Sequence, residues 1–472
     1  MPMRQILGIA AAILIAASAF AENTDENNPR RIAIWGSSVA NGTGDELWKG
    51  GYAGRLKELL ESRGWEVFNQ SHPGDNTTTI QSRFEPGDTP DAAARYLTVV
   101  DPDYVVIGLS LGNDGIAQCQ LGQTKGCTRT ATEAEAVFER FASGLQQLIT
   151  RVRAAGMTPV VTLPYARLDF SEREYGFTRR MNLLINSWDV PSVNLLGAID
   201  DGQGRWGRGL WADPFHPNAA GHEEMMHAFV PSLFAALDAD KATPRRQATT
   251  GYARVRRTKQ APMTFRVDDT MRSHTLTFMV RPHKDGVVAE IVGRPLNSSF
   301  PIFRRSYGAF EWDTESLELT PSDHLRISTL EVRDGRISYD SSNGNSISSR
   351  TSGFTEAWHY VSLSHSVARA ETTLFIDGEL VGSIAERLQP ESFALGGPAE
   401  RGRKAASADY REWMLHRASL NADEAAALHA GVLLQASLEL YAPLTHDDAN
   451  LAQSLSTVYV DSAVVDFMTD GE

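Results

Sequence analysis

The chain has 472 residues, more than one typical core organises, so two or three domains are expected. Hydrophobic residues at 42% and charged residues at 22% are ordinary for a globular protein and exclude a disordered or fibrous chain. A formal net charge of −14 excludes a general nucleic-acid binder, which needs a basic face for phosphates, and argues against an anionic membrane as partner.

The first residues read as an export signal. Arg4 precedes an apolar run over 6–17, and Ala19-Phe20-Ala21 is a small-x-small cleavage site before Glu22. This predicts a signal peptide over 1–21, a polar leader over 22–30, a secreted or periplasmic protein, and no membrane anchor. The only cysteines, Cys119 and Cys127, lie eight apart, and an oxidising compartment favours a disulfide between them.

Residues 32–35 form an apolar run long enough for a buried strand, broken at Gly36 by Ser37 and Ser38. A helix is predicted over 50–64, with Tyr52, Leu56, Leu59 and Leu60 on one face, and a strand over 66–69. A short helix over 90–96 and an apolar strand over 104–109 follow. Thr132 and Glu135 have the spacing of a capping box for a helix carrying Val137, Phe141, Leu145, Leu148, Ile149 and Val152. Strands are predicted over 158–163 and 192–196, and a last helix over 219–237, interrupted at Pro231. Alternating strands and helices imply a parallel sheet in a three-layer α/β domain over 31–240.

The segment 241–262 is polar and basic and reads as a linker; it lacks the interleaved aromatics of a nucleic-acid patch. From 263 to 472 the periodicity changes to two. Alternating runs over 275–280, 325–332, 359–364 and 372–376 are separated by turns such as Asp334-Gly335 and Asp377-Gly378, and one helix is predicted over 420–430. This pattern implies an all-β sandwich.

A serine after a buried parallel strand sits where open α/β sheets place their chemistry. Ser38 needs a base to remove its proton. Asp213-Pro214-Phe215-His216 offers one: the carboxylate of Asp213 can hold one imidazole nitrogen of His216, leaving the other free. The anion formed on attack at a carbonyl needs donors. The Gly74 N–H and the Asn113 side-chain amide can supply them, and Ser38, Gly74, Asn113 and His216 all fall just after strands or in loops at one predicted sheet edge.

These residues resemble the SGNH (GDSL-type) hydrolases, whose four letters map in order onto Ser38, Gly74, Asn113 and His216. Gly36-Ser37-Ser38-Val39-Ala40-Asn41-Gly42 is similar to the first block, Leu111-Gly112-Asn113-Asp114 to the third, and Asp213 to His216 is the fifth. Ser37 replaces the usual Asp, and Leu111 stands where a Gly is expected. The resemblance implies a flavodoxin-like three-layer fold, catalysis by Ser38, Asp213 and His216, an oxyanion hole from Ser38, Gly74 and Asn113, and no cofactor.

The C-terminal region resembles a laminin-G-like or concanavalin-A-like jelly roll. The similar residues are Trp358-His359-Tyr360-Val361, Leu374-Phe375-Ile376-Asp377-Gly378-Glu379, Leu395-Gly396-Gly397, Tyr410-Arg411-Glu412-Trp413 and the run Arg417 to Glu424. Many such domains bind glycans and some bind calcium, but the fold does not settle function. Three readings stand: an esterase removing O-acyl, chiefly O-acetyl, groups from a carbohydrate; a lipase, thioesterase or arylesterase; and a non-catalytic glycan-binding adhesion protein. In the first reading the C-terminal domain either binds the polymer or completes the pocket.

Overall fold

A computed structural model describes residues 30–470 apart from 89–94, 118–129, 249, 257–260, 308–309, 351, 398–404 and 446–448. The export signal, both cysteines and most of the helix expected over 90–96 lie outside the described residues.

The first layer system is a five-stranded parallel sheet. Its strands are β1 (Arg31–Gly36), β2 (Glu66–Asn69), β3 (Tyr104–Gly108), β4 (Thr158–Thr162) and β5 (Ser192–Val193), in the order β2-β1-β3-β4-β5. β1 and β3 are buried on both faces, which is why they read as unbroken apolar runs. Their register pairs Ile32 with Tyr104 and Gly36 with Gly108, so both strands end at one level.

Helices α1 (Ser38–Asn41), α2 (Gly51–Glu61), α3 (Ala131–Ala154), α4 (Glu172–Asn186) and α5 (Leu196–Ile199) connect or flank these strands. α3 buries the expected face, Val137 to Val152, in the cluster that holds Trp35 and Ile107. Its capping box is Thr130 with Glu133, not Thr132 with Glu135. The two Thr-x-x-Glu frames overlap with a two-residue offset, and spacing alone does not choose between them. The strand expected over 192–196 stops at Val193 because the chain turns into α5. α4 went unpredicted; its capping box is Ser171 with Glu174.

A short ribbon, β6 (Trp211–Asp213) and β7 (His216–Pro217), precedes α6 (Ala219–His227) and α7 (Leu233–Asp238), which break around Pro231 as expected.

Among the described residues the remainder is all-β apart from one helix, Ala422–His429. Its first strands are β8 (Gly251–Val255), β9 (Met263–Arg266), β10 (His274–Pro282) and β11 (Gly286–Ser299). Among the described residues it forms two eight-stranded antiparallel sheets. β10 is central in one, between His359–Ser366 and Ala408–His416. β11 is central in the other, between Arg326–Arg333 and Leu388–Leu395. Phe278, Leu363 and Trp413 of the first sheet share one buried cluster with Ile291, Leu330 and Phe393 of the second.

The segment expected as a linker, 241–262, is a correction. Gly251–Val255 is a buried strand, β8, paired with Ala408–His416 and Val465–Thr469. Lys241, before it, donates to the carbonyls of Asn450 and Ser454. Its arginines include two that neutralise buried carboxylates rather than solvate a tether: Arg246 pairs with Glu412, and Arg254, together with Arg281 of β10, pairs with the fully buried Asp409.

The two regions are welded. Leu296, Leu317, Val367 and Ala368 of the β region share a buried cluster with Tyr165, Trp206 and Leu210. Asn194 donates through its side chain to Glu424 at 2.9 Å, Ser437 N–H to Ser192 O at 3.0 Å, and Ser419 N–H to Gly197 O at 3.0 Å.

Burial also sets the acid response. It holds His222 and His416 down at about 4, and His274 and His365 at about 3. An unfolded imidazole titrates near 6.5. Between those values the unfolded chain binds protons that the folded chain refuses, so stability falls as pH falls. Glu224 and Glu424, pushed up to about 7 by burial, act with the opposite sign between pH 7 and their unfolded values. Burial pushes Asp114, Asp200 and Glu439 up as well, so this opposition is spent only near the unfolded carboxylate values, about 4, below which His274, His365 and the depressed Asp45, Asp213 and Asp409 still draw protons on unfolding. The urea midpoint should therefore drop steadily from about pH 4 to about pH 3. A midpoint that is level or rises over that interval would contradict this assignment.

Candidate active site

Ser38, Gly74 and Asn113 follow β1, β2 and β3 at the carboxyl edge of the parallel sheet. Ser38 is the first residue of α1, so its N–H has no acceptor within the helix and is free to serve another oxygen.

The β6–β7 ribbon brings His216 to Ser38. His216 Nε2 lies 3.0 Å from Ser38 Oγ, and Nδ1 lies 2.8 Å from Asp213 Oδ2. Asp213 Oδ1 also accepts the N–H groups of Phe215 at 2.8 Å and His216 at 3.0 Å. Burial pushes the Asp213 carboxyl up, but the bonds from His216 and these two amides outweigh it and hold it below its usual value. Asp213 is thus a fixed anion behind the ring. With Nδ1 donating to it, Nε2 is left as an acceptor for the serine proton.

Gly74 sits at φ +89°, a backbone region that favours glycine, and a side chain added there would meet open space. The next residue, Asp75, is anchored by the buried Arg83, whose Nε donates to it at 2.8 Å. Asn113 Nδ2 donates to Asp75 O at 2.9 Å, which ties the Asn113 loop to the Gly74 loop and leaves its second N–H unassigned to that bond. Asp114, the other half of the third block, accepts from Thr77 N–H at 3.1 Å and from the Thr77 hydroxyl. Ser38, His216 and Asp213 are thus joined in one row, and the Gly74 and Asn113 loops are joined to each other.

Both departures from the family pattern are internal. Ser37 and Leu111 are buried, and Ser37 N–H donates to Gly108 O at 2.9 Å. Tyr165 lies behind Ser37 and Ser110; burial pushes its phenol up to about 12, with the two serine hydroxyls opposing.

Arg167 was missed by sequence reasoning. Its guanidinium makes a two-bond fork to Asp169, each bond 2.8 Å, and lies 4.4 Å over the ring of Phe215, the neighbour of His216. A Cβ at residue 112 would come within 2.1 Å of Arg167 Nη1, so the third-block Gly112 is what lets Arg167 in. The only signal was a lone arginine after a predicted strand, which does not distinguish this site from the surface.

No group of three or more His, Cys, Asp or Glu side chains suited to a metal ion occurs among the described residues. No helix among them is long and apolar enough to cross a membrane.

A serine, an imidazole and a carboxylate in bonded sequence at the carboxyl edge of a parallel sheet define a serine-type hydrolase site. Residues 34–224 match the model of the GDSL-like Lipase/Acylhydrolase family. This stretch is a GDSL-like acylhydrolase domain, and the protein is an ester-bond hydrolase. Similar solved structures include Axe2, an acetylxylan esterase from Geobacillus stearothermophilus, at 15% identity, 42% of this chain, 92% of that chain and a TM-score of 0.31. A GDSL-like lipase from Bacteroides thetaiotaomicron is similar at 14% identity, with 45% and 89% covered and a TM-score of 0.30. A heptameric SAP-like pentraxin from Limulus polyphemus is similar at 9% identity, with 48% and 93% covered and a TM-score of 0.27. No curated protein matches the chain.

Proposed function

We propose that the protein is an exported esterase that removes acyl groups, chiefly acetyl, from a carbohydrate through an acyl-enzyme on Ser38. The observation that carries the catalytic part is the relay Asp213–His216–Ser38 at 2.8 and 3.0 Å. Ser38 Oγ attacks the ester carbonyl carbon while its proton passes to His216 Nε2. The carbonyl oxygen becomes an anion facing the N–H groups of Ser38 and Gly74 and the Asn113 amide. As the C–O bond to the sugar breaks, His216 returns the proton to the departing alkoxide. Water, deprotonated by His216 in turn, then adds to the acyl carbon; the bond to Ser38 Oγ breaks, His216 returns the proton to that oxygen, and the carboxylic acid leaves.

The carbohydrate reading is supported by the loop that follows Ser38. Trp48 is 92% exposed and Leu47 57% exposed, yet the loop is rigidly built. Trp48 takes φ +57°, costly for a bulky residue, and its N–H donates to Asp45 O at 3.2 Å. Asp45 is in turn buried against Arg55 at 2.7 Å. A rigid, solvent-facing indole offers an apolar face to a sugar ring. Export rests on residues 1–21, and a jelly-roll identity for the β region is supported by its two facing antiparallel sheets.

The deciding experiment assays the purified protein against acetylated oligosaccharides, acyl esters of increasing chain length, aryl esters and thioesters. Preference for acetylated sugars is expected. Preference for long acyl chains or thioesters would replace this reading with that of a lipase or thioesterase. Trp48→Ala should raise KM for an acetylated oligosaccharide several-fold while leaving kcat/KM for a small aryl acetate within about twofold. Equal losses on both would remove Trp48 from sugar recognition.

A further inference from the structure

Between β11 and the strand Glu318–Pro321 the chain leaves the sheet as a hairpin, β12 (Ile302–Tyr307) and β13 (Phe310–Glu315). It reaches the hydrolase region at the ribbon that bears Asp213 and His216. We infer that this hairpin clamps the catalytic loop, with Trp312 and Arg305 as positioning residues for the Asp213–His216–Ser38 relay. The inference rests on the reading of that relay given above.

The loop needs external support. β6 and β7 pair only through Trp211 with Pro217 and Asp213 with His216, with a register shift between, and an isolated two-stranded ribbon is marginal in water. The hairpin and its base supply contacts on three sides. Before the relay, Trp312 Nε1 donates to the carbonyl of Ala212, the residue preceding Asp213, at 2.9 Å. After it, Asn218 Nδ2 faces Glu315 O and Ser316 Oγ, each at 3.4 Å, while donating to Gly209 O at 2.9 Å. Gly209 O also accepts the N–H of Leu317 at 2.8 Å.

The third side joins the histidine loop to the serine loop. Arg305 donates to Gly44 O at 3.3 Å and pairs with Glu46 at 3.0 Å. Glu46 accepts the N–H of Ala219 at 2.7 Å, just beyond His216 and Pro217. Gly44 itself lies against the histidine: a Cβ there would be 3.1 Å from His216 Cβ and 2.2 Å from Pro217 O. Thr43 N–H, next to Gly44, donates to Ser38 O at 3.0 Å. Arg305 therefore holds together the segments carrying the nucleophile and the base. Its side chain and that of Glu46 are 12% and 16% exposed, so the pair is shielded from screening that weakens surface ion pairs. Arg304, its neighbour on the outer face, pairs only within the hairpin, with Glu311 and Asp313.

The consequence is kinetic. Attack requires Ser38 Oγ and His216 Nε2 to stay within hydrogen-bond reach, and displacement of about 1 Å can lower turnover by about 10²-fold. A clamp on the loop acts on kcat, whereas a wall that touches substrate acts on KM.

The test uses the full chain with 4-nitrophenyl acetate and a fluorophosphonate that labels activated serines. Trp312→Phe keeps an aromatic side chain, smaller than the indole, and removes the N–H. It should lower kcat about 10-fold, with KM changed less than about twofold, and slow Ser38 labelling in parallel. Arg305→Lys keeps the charge and removes the fork; it should give a smaller loss, and the double variant Trp312→Phe/Arg305→Gln about 10²-fold. Arg304→Ala should leave both rates within about twofold. A folded Trp312→Phe protein with unchanged kcat and labelling, whatever its Tm, overturns the clamp. So does a rise in KM at constant kcat, which would place the hairpin on the substrate. If Trp312→Phe fails to fold, Arg305→Lys with wild-type labelling is the overturning result. Ser38→Ala separates the two claims: substantial hydrolysis there refutes the relay, while a nearly inactive Ser38→Ala beside normal clamp variants refutes only the clamp.

Discussion

Ser38→Ala is expected to lower hydrolysis of a small activated ester by about 10⁴-fold or more while leaving the far-UV spectrum and Tm close to those of the parent. Ser38 is the hydroxyl that touches His216 Nε2, at 3.0 Å. Ser37 is fully buried and has no such contact. His216→Ala should be as severe, because the serine proton then has no acceptor. Asp213→Asn should be no worse, since that carboxylate orients the ring and steadies its charge without touching substrate. Asn113→Ala should cost about 10²–10³-fold in kcat with little change in KM, the usual loss for one oxyanion donor. Fluorophosphonate labelling followed by peptide mass mapping checks the assignment. A label on Ser37, or substantial turnover by Ser38→Ala, would sink it.

Removing everything after Ala242 should abolish small-ester hydrolysis as well as activity on polymer. The β region is not a tethered module: Leu296, Leu317, Val367 and Ala368 complete a core that Tyr165, Trp206 and Leu210 begin. Its loss bares that apolar surface and strips the partners of Asn186, Asn194 and Ser192. It also removes the hairpin that bonds Ala212 and Gly44. The truncated chain should therefore be insoluble, or soluble with a Tm lower by about 10 °C or more and kcat reduced at least 10-fold. A soluble, monomeric truncation with parental kcat on 4-nitrophenyl acetate would refute this. It would restore the alternative in which the β region only raises local substrate concentration on a polymer.

The sequence by itself determined the α/β half and its chemistry. Strand β1 had to be buried on both faces because residues 32–35 carry no polar side chain, and the period of 3.6 in α3 fixed which face packs. Ser38, Asp213 and His216, which the structure brings into one bonded row, were legible because each lies just after or beside an element whose place its own pattern sets. The change to period two marked the sheets after residue 263, since alternation needs no long-range information. What tertiary structure alone decided is where distant pieces meet. The segment 241–262 looked like a linker because its arginines are polar in isolation; only the fold brings the buried Asp409 to Arg254, turning polar surface into a paired strand. Trp312 and Arg305 carried no mark in the sequence for the same reason. Their partners, Ala212 and Gly44, lie 100 and 261 residues away in the chain, and no local pattern encodes a hydrogen bond to a backbone carbonyl at that separation.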